Sequence, residues 1–393
     1  MKKYKLSELF DLQMGKTPAR NNPQFWDDGG NPWISIADMS SNGKYIITTK
    51  ECITDCAVRE TGIKPIFPGT VIMSFKLSVG KVAIVCTPYQ CYSNEAIIAF
   101  EINDNISSDD QPSSEYIYYL ISSMSFDAFG NKAVMGKTLN KAILSEIIVN
   151  VHDKEQRNHI VDVLTKCDDL IDCRKQQLSK LDELVKSRFI EMFGEPESNP
   201  MHWEMLPLEN CLTVLGGYAF KSEEFKTSGV PVLRIGNINT GVFTPTNMVY
   251  WTKDASLERY QVLPGDLVIS LTGTVGKDDY GNVCILGNAY PLYYLNQRNA
   301  KLILGEALNK HYLSELLKFS QIKKKLTGIS RGVRQANISN RDILNLVVPI
   351  PPIELQTQFA TFVEQIDKSK LAIQKSLDQL ETLKKSLMQK YFG

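Results

Sequence analysis

The residues best equipped for chemistry in this chain are cations set in loops rich in Gly and Asn. The run TGISRGVRQANIS places Arg331 and Arg334 beside glycine, with Asn337 close behind. Guanidinium forks and a carboxamide suit phosphate oxygens and base edges. Residues 316–341 also hold Lys318, Lys323, Lys324, Lys325 and Arg341, with no acid among them. An earlier stretch, 128–145, carries Lys132, Lys137 and Lys141, again without an acid. The competing reading of Lys323–Lys325 is a solvated helix face. A second pair of surfaces lies further upstream. GKTPARNNPQFW (15–26) offers Lys16, Thr17 and Arg20, and GGYAFKSEEF (216–225) offers Lys221. PWISIADMS (32–40) and PVLRIGNIN (231–239) follow them, the latter with Arg234 and Asn237. Lys76, Lys81 and Lys277 complete the set, the last two in Gly-Lys pairs at a strand junction where a lysine could reach a phosphate.

Catalytic constellations are missing. There is no G-x-G-x-x-G fingerprint, and no Asn-Pro-Pro-Tyr or Asp-Pro-Pro-Tyr of an amino-methyltransferase. GNKAVMGKT (130–138) departs from phosphate-loop spacing, and Glu224-Phe225-Lys226 has no partner acid placed for it. No Ser/His/Asp or Cys/His set recurs symmetrically, so the chain is expected to catalyse nothing by itself. The closest cysteine pairs, Cys52/Cys56 and Cys86/Cys91, lack zinc spacing and lie far from the four histidines. Buried reduced thiols and no metal site are the expectation. Forty-four basic residues balance 44 acidic ones, which argues against a non-specific polyanion binder. A sequence-specific binder needs only a local basic face. No apolar run is long enough to span a membrane, and MKKYKLSELFDL reads as the start of a domain. A cytoplasmic protein is expected.

These candidates sit on a scaffold written twice. KSRFIEMFG (186–194) returns as KSLMQKYFG (385–393), and FPGTVIMSFKLSVGK (67–81) returns as LPGDLVISLTGTVGK (263–277). A repeat this long is a duplicated module. In each half three β-branched runs read as strands: 71–75, 81–86 and 96–102, then 266–271, 282–286 and 299–304. A helix follows (116–125; 307–325), then a last strand (147–151; 346–350).

Each half ends in a long helix with a heptad seam. The first seam includes Leu164, Ile171, Leu178 and Leu181, and the second Val363, Ile373, Leu377 and Leu380. Polar intrusions fall at different places: Arg174 and Arg188 in one, Lys370 and Lys384 in the other. Unlike seams favour pairing with each other. Asp153 with Gln156, and Pro351-Pro352 with Glu354, start the helices, while Gly194 and Gly393 end them. Roughly 38 residues give a rod of about 57 Å, suited to act as a ruler between two modules.

Together these blocks resemble the specificity subunit of a type I restriction–modification system. The likeness rests on GKTPARN…FW…PWISIADM, the Pro-Gly…Ser…Val-Gly-Lys block in both halves, the Val348–Gln358 helix entry and the Phe-Gly helix ends. It implies an α+β fold with two pseudo-symmetric mixed α/β target recognition domains, 1–150 and 195–349. Two long antiparallel coiled-coil helices, 151–194 and 350–393, would separate them. It further implies a non-catalytic reader of a bipartite, asymmetric site in double-stranded DNA. Its partners would be two methyltransferase subunits and, where the assembly cleaves, two motor-nuclease subunits. S-adenosylmethionine, ATP and magnesium would belong to those partners. Two rival readings stay open: a self-contained DNA-modifying enzyme, and a coiled-coil adaptor that binds no DNA.

Overall fold

The computed structural model describes residues 1–76, 78–107, 111–126, 139–328 and 335–393, apart from the side chains of Asp28 and Gln335. The chain forms two compact units, residues 1–174 with 376–393, and residues 175–375. Both long helices, Lys154–Phe193 and Ile353–Phe392, contribute to each unit.

The β-branched runs form the expected strands. In unit 1 a five-stranded sheet runs in the order Phe10–Met14, Ile97–Ile102, Val71–Ser74, Val82–Val85, Tyr45–Ile46. A three-stranded sheet holds Glu51–Ile53, Trp26–Ile34 and Tyr92–Ser93. Unit 2 repeats the plan. One sheet is ordered Leu212–Gly216, Asn299–Leu304, Leu267–Ser270, Val283–Ile285, and the other Val249–Trp251, Val230–Leu233, Tyr293–Leu295, Gln261–Val262. Val71–Ser74 and Leu267–Ser270 are wholly buried, as expected of central strands that read as unbroken apolar runs.

The Pro-Gly blocks make equivalent turns. Gly69 (φ +91) and Gly265 (φ +86) take the left-handed backbone, and the amides of Thr70 and Asp266 each donate to a carbonyl three residues back. The Gly-Lys pairs do not correspond. Val71 pairs with Ile84, whereas its counterpart Leu267 pairs with Ile285, so unit 2 has five extra residues in this connection. The structural partner of Gly80-Lys81 is therefore Gly281-Asn282, and both pairs close on a buried serine, Ser74 or Ser270. The extra residues form the strand Thr272–Thr274, which pairs with Gln335–Asn337.

The helix expected over 307–325 is two helices, Lys310–Lys318 and Ser320–Thr327. Phe319 breaks it with extended backbone as its ring packs 5.0 Å from that of Phe189. Lys323 is buried and bonded to Asp278 and Asn282, while Lys324 and Lys325 are exposed. The lysine run is thus a helix face with one inward member. Four of the eight cysteines are buried and Cys86 and Cys173 are exposed, so the expectation of buried thiols holds only in part. Burial pushes the Cys91 and Cys284 thiols up to about 12.

The helix seams are buried or half-buried throughout. Leu164, Ile171, Val363 and Leu377 are buried; Leu178, Leu181, Ile373 and Leu380 are half-buried. In unit 1, Lys384 pairs with Asp168, and further along the second helix Phe392 reaches the ring of His152, which precedes the first. In unit 2, Lys370 pairs with Asp182 at 2.5 Å, and Phe359 packs 5.5 Å from Phe189 and Phe193. Residue numbers move in opposite directions in both units, so the helices run antiparallel. Both lysines that interrupt the second seam are paired with aspartates of the first helix. Near the end of the first helix the buried positions are Phe189 and Phe193, one residue beyond the expected 188 and 192, because these rings join Tyr312, Phe319 and Phe359. The Asp153 carboxylate accepts from the Gln156 amide at 2.9 Å, and Gly194 (φ +77) ends that helix. The second helix is anchored by fully buried Gln356, which donates to the carbonyls of Pro351 and Ala307 and accepts from the Asn309 amide.

Candidate nucleic-acid interface

In unit 2 the chain passes from one sheet to the other through Asn296-Gln297-Arg298. The connection is tight. The Asn299 amide donates to the Asn296 carbonyl at 2.9 Å, and the Arg298 amide to Asn296 Oδ1 at 3.3 Å. Gly217 and Tyr218 lie against it: the Gly217 amide donates to the Asn299 carbonyl at 3.2 Å, and the Tyr218 amide to the Leu295 carbonyl at 2.8 Å. No side chain fits at Gly217, where a Cβ would overlap the Asn296 carbonyl. This corner holds exposed Gln297 and Arg298 at the lip of a recess of about 500 Å³, lined also by Phe220, Phe225, Arg234 and Asn247. A second recess of about 340 Å³, walled by Asn239, Thr272 and Thr274, shares Arg298. Among the described residues the Arg298 guanidinium has no partner. Arg234 donates through Nη2 to the Asn247 carbonyl at 2.6 Å, and its buried Nε has none among those residues.

Unit 1 builds the same corner from Asn94-Glu95-Ala96. The Ala96 amide donates to Asn94 Oδ1 at 3.0 Å, the Gly15 amide to the Ile97 carbonyl at 3.2 Å, and the Lys16 amide to the Ser93 carbonyl at 2.8 Å. A Cβ at Gly15 would overlap the Ser93 and Asn94 carbonyls. Glu95 stands where unit 2 has Gln297, and buried Ala96 where it has Arg298. The Thr17 hydroxyl donates to exposed Glu95 and holds its carboxyl below the usual range. Arg20 pairs at two points with Glu51 and lies 3.9 Å over the Trp26 ring. Lys16 donates to the Thr61 carbonyl at 2.7 Å, Lys81 to the Ser40 hydroxyl, and Lys141 lies 3.9 Å from Asp11. Lys76 is exposed, its ammonium 5.2 Å from the Phe75 ring.

Two stretches of the chain, residues 1–183 and 200–383, match the family model of the type I restriction modification DNA specificity domain. The chain belongs to that family. Each half is one specificity domain with its share of helix. Among relatives, the MjaIX type I restriction enzyme specificity subunit of Methanocaldococcus jannaschii is 25% identical over 98% of this chain and 91% of its own length. The EcoKI specificity subunit of Escherichia coli is 27% identical over 44% of this chain and 38% of its own. The crystal structure of the type I restriction–modification S subunit from M. genitalium aligns over all of this chain and 96% of its own, with a TM-score of 0.55 at 16% identity. That likeness concerns the fold.

The two specificity domains keep their turns and change their exposed side chains. Ser35 and Arg234 open equivalent turns, each closed by a buried residue three positions on: the Ser35 amide donates to Asp38 at 2.8 Å and the Arg234 amide to Asn237 at 2.9 Å. Asn237 also donates to the carbonyls of Thr244 and Thr246, so its amide holds this loop rather than facing outward. Lys221 lies 3.5 Å from Glu224, and Lys277 is exposed in a turn at Gly276 (φ +79). Asn337 is exposed on the short strand paired with Thr272–Thr274. Lys132, Lys137, Arg331 and Arg334, and the 130–138 loop, lie outside the described residues. Sequence reasoning missed Gln297, Arg298 and Asn247. The signal for the first two was a polar tripeptide, NQR, wedged between the strands YYL and NAKLIL. Among the described residues no group of three or more His, Cys, Asp and Glu is placed to hold a metal ion.

Proposed function

We propose that this chain is the sequence-reading subunit of a cytoplasmic type I restriction–modification assembly. Each unit reads one half of a bipartite, asymmetric site in double-stranded DNA. The two long helices set the spacer and dock two methyltransferase subunits, and two motor-nuclease subunits join where the assembly cleaves. Transfer of a methyl group from S-adenosylmethionine, and any work driven by ATP with magnesium, belongs to those partners. The observation that carries this reading is one hydrogen-bonded corner built twice with different exposed side chains, Glu95 in one unit and Gln297 and Arg298 in the other. A conserved frame with divergent tips is what two unlike half-sites require. The names of the relatives support it.

The test is a methylation map. The chain is expressed with its methyltransferase subunit in a methylation-free host, and modified adenine is sequenced. The expected result is a two-part asymmetric motif present only with this chain. A stable complex that leaves no motif overturns the reading and favours an adaptor. Modification by this chain alone favours a self-contained enzyme.

A further inference from the structure

The two corners carry opposite chemistry. We propose that the corner is the base-reading point of each unit, with Arg298 selecting guanine in one half-site and Glu95 selecting cytosine in the other. This deepens the sequence-reading function above and rests on it.

Several observations converge on Arg298. Four lysines of unit 2 are paired within the fold: Lys221 with Glu224, Lys301 with Asp266, Lys318 with Glu315 and Lys323 with Asp278. The Arg298 guanidinium has no such partner among the described residues and stands exposed where two recesses meet. Its backbone is pinned on both sides, by the Asn296 carboxamide and by the Leu271 amide, which donates to the Arg298 carbonyl at 2.8 Å. A reading side chain needs such a base, because selectivity depends on placement to within about 0.5 Å. In the same recess the buried Arg234 Nε has no partner among the described residues. A guanidinium fork matches the N7 and O6 acceptors of guanine in the major groove, a pattern that no other base presents.

In unit 1 the corner itself is acidic. Arg20 is bound to Glu51, Lys16 to a carbonyl and Lys81 to Ser40, while exposed Glu95 has no ion-pair partner among the described residues, with exposed Lys76 near enough to favour its charge. Thr17 uses Glu95 Oε2, so Oε1 is available as an acceptor. A carboxylate beside a polyanion is unfavourable unless it meets a donor, and the exposed major-groove donor of a G·C pair is the cytosine N4 amine. Adjacent positions of two equivalent corners thus carry opposite charge, Glu95 at the second residue of one and Arg298 at the third of the other, which predicts different bases in the two half-sites.

The test uses the full chain in complex with its methyltransferase, comparing motifs by methylation mapping. Arg298→Ala should relax one guanine in one half-site, lowering preference for it by about tenfold or more. The opposite half-site and the spacer should stay unchanged. Glu95→Gln should relax one cytosine in the other half. Arg298→Lys keeps the charge and removes the fork, so it should relax the same guanine, and it decides the matter if the alanine variant does not fold. Unchanged motifs, relaxation in the same half for both variants, or full guanine selectivity with lysine would overturn the assignment while leaving the reader role intact. A wild-type complex that produces no motif would remove the reader role itself, and the assignment with it.

Discussion

Gly217→Ala is the sharpest structural perturbation available, because it moves the corner without touching a reading side chain. An added methyl group would overlap the Asn296 carbonyl and come within 2.7 Å of the Leu295 carbonyl oxygen. Ordinary carbon contacts begin at about 3.5 Å, so the backbone must give by roughly 1 Å. Both neighbours are main chain, so no rotamer change can relieve the clash. The displacement also strains the Gly217–Asn299 and Tyr218–Leu295 bonds, at 3.2 and 2.8 Å. Overpacking of this kind costs about 1–3 kcal/mol, and one weakened buried hydrogen bond adds about 1 kcal/mol. For a unit of this size, each kcal/mol lowers Tm by roughly 2–4 °C, so a drop on the order of 5–15 °C follows. Thermal melting measures the first effect and motif mapping the second. Gly217→Ala should degrade one half-site, and Gly15→Ala, which meets the Ser93 and Asn94 carbonyls, should degrade the other. An unshifted melt with an unchanged motif, or loss in the same half for both variants, would refute the reasoning.

Gln356→Ala strands the Asn309 amide and two carbonyls in a fully buried place, and should cost about 2–4 kcal/mol by chemical denaturation; a loss below about 0.5 kcal/mol would show that the anchor is dispensable. His311 is held neutral mainly by burial and also by the Lys310 charge, which together lower its pKa below 6.5 despite Glu364. The unfolded chain then binds a proton that the folded chain refuses. Its contribution is therefore intact above pH 6.5 and is lost as pH falls toward the folded value. His152, depressed by burial and by the terminal amine, acts with the same sign. Tm should fall between pH 7 and 5, and His311→Gln should flatten that slope; a Tm that rises on acidification refutes it. Adding one heptad to each long helix lengthens each by about 10 Å, close to the rise of three base pairs, and should lengthen the spacer accordingly. An unaltered spacer would show that the helices do not set it.

The eight strands with β-branched runs, the long helices with their caps, and the duplication were legible in the sequence because they depend on local periodicity and turn chemistry. Val71–Ser74, its partner Leu267–Ser270 and the seam at Leu164, Ile171, Val363 and Leu377 announce themselves by apolar spacing alone. Which cation is free is a different kind of fact. Arg20 looks available in GKTPARN until Glu51, brought beside it by pairing of Trp26–Ile34 with Glu51–Ile53, takes both arms of its fork. Lys323 belongs to a basic run until the loop holding Asp278 and Asn282 folds over it. The matching Val-Gly-Lys strings suggest one register, and the ladder at Val71 and Leu267 settles on another five residues away. The sequence by itself determined the modules, their order and the two-helix connection, because those follow from patterns within a few residues. Only the tertiary structure decided that Gln297 and Arg298, one strand junction in a run of ordinary polar residues, stand where Glu95 and Ala96 stand in the other unit. That equivalence is set by hydrogen bonds from Gly15 and Gly217, residues far away in the chain, whose lack of a side chain lets two backbones meet.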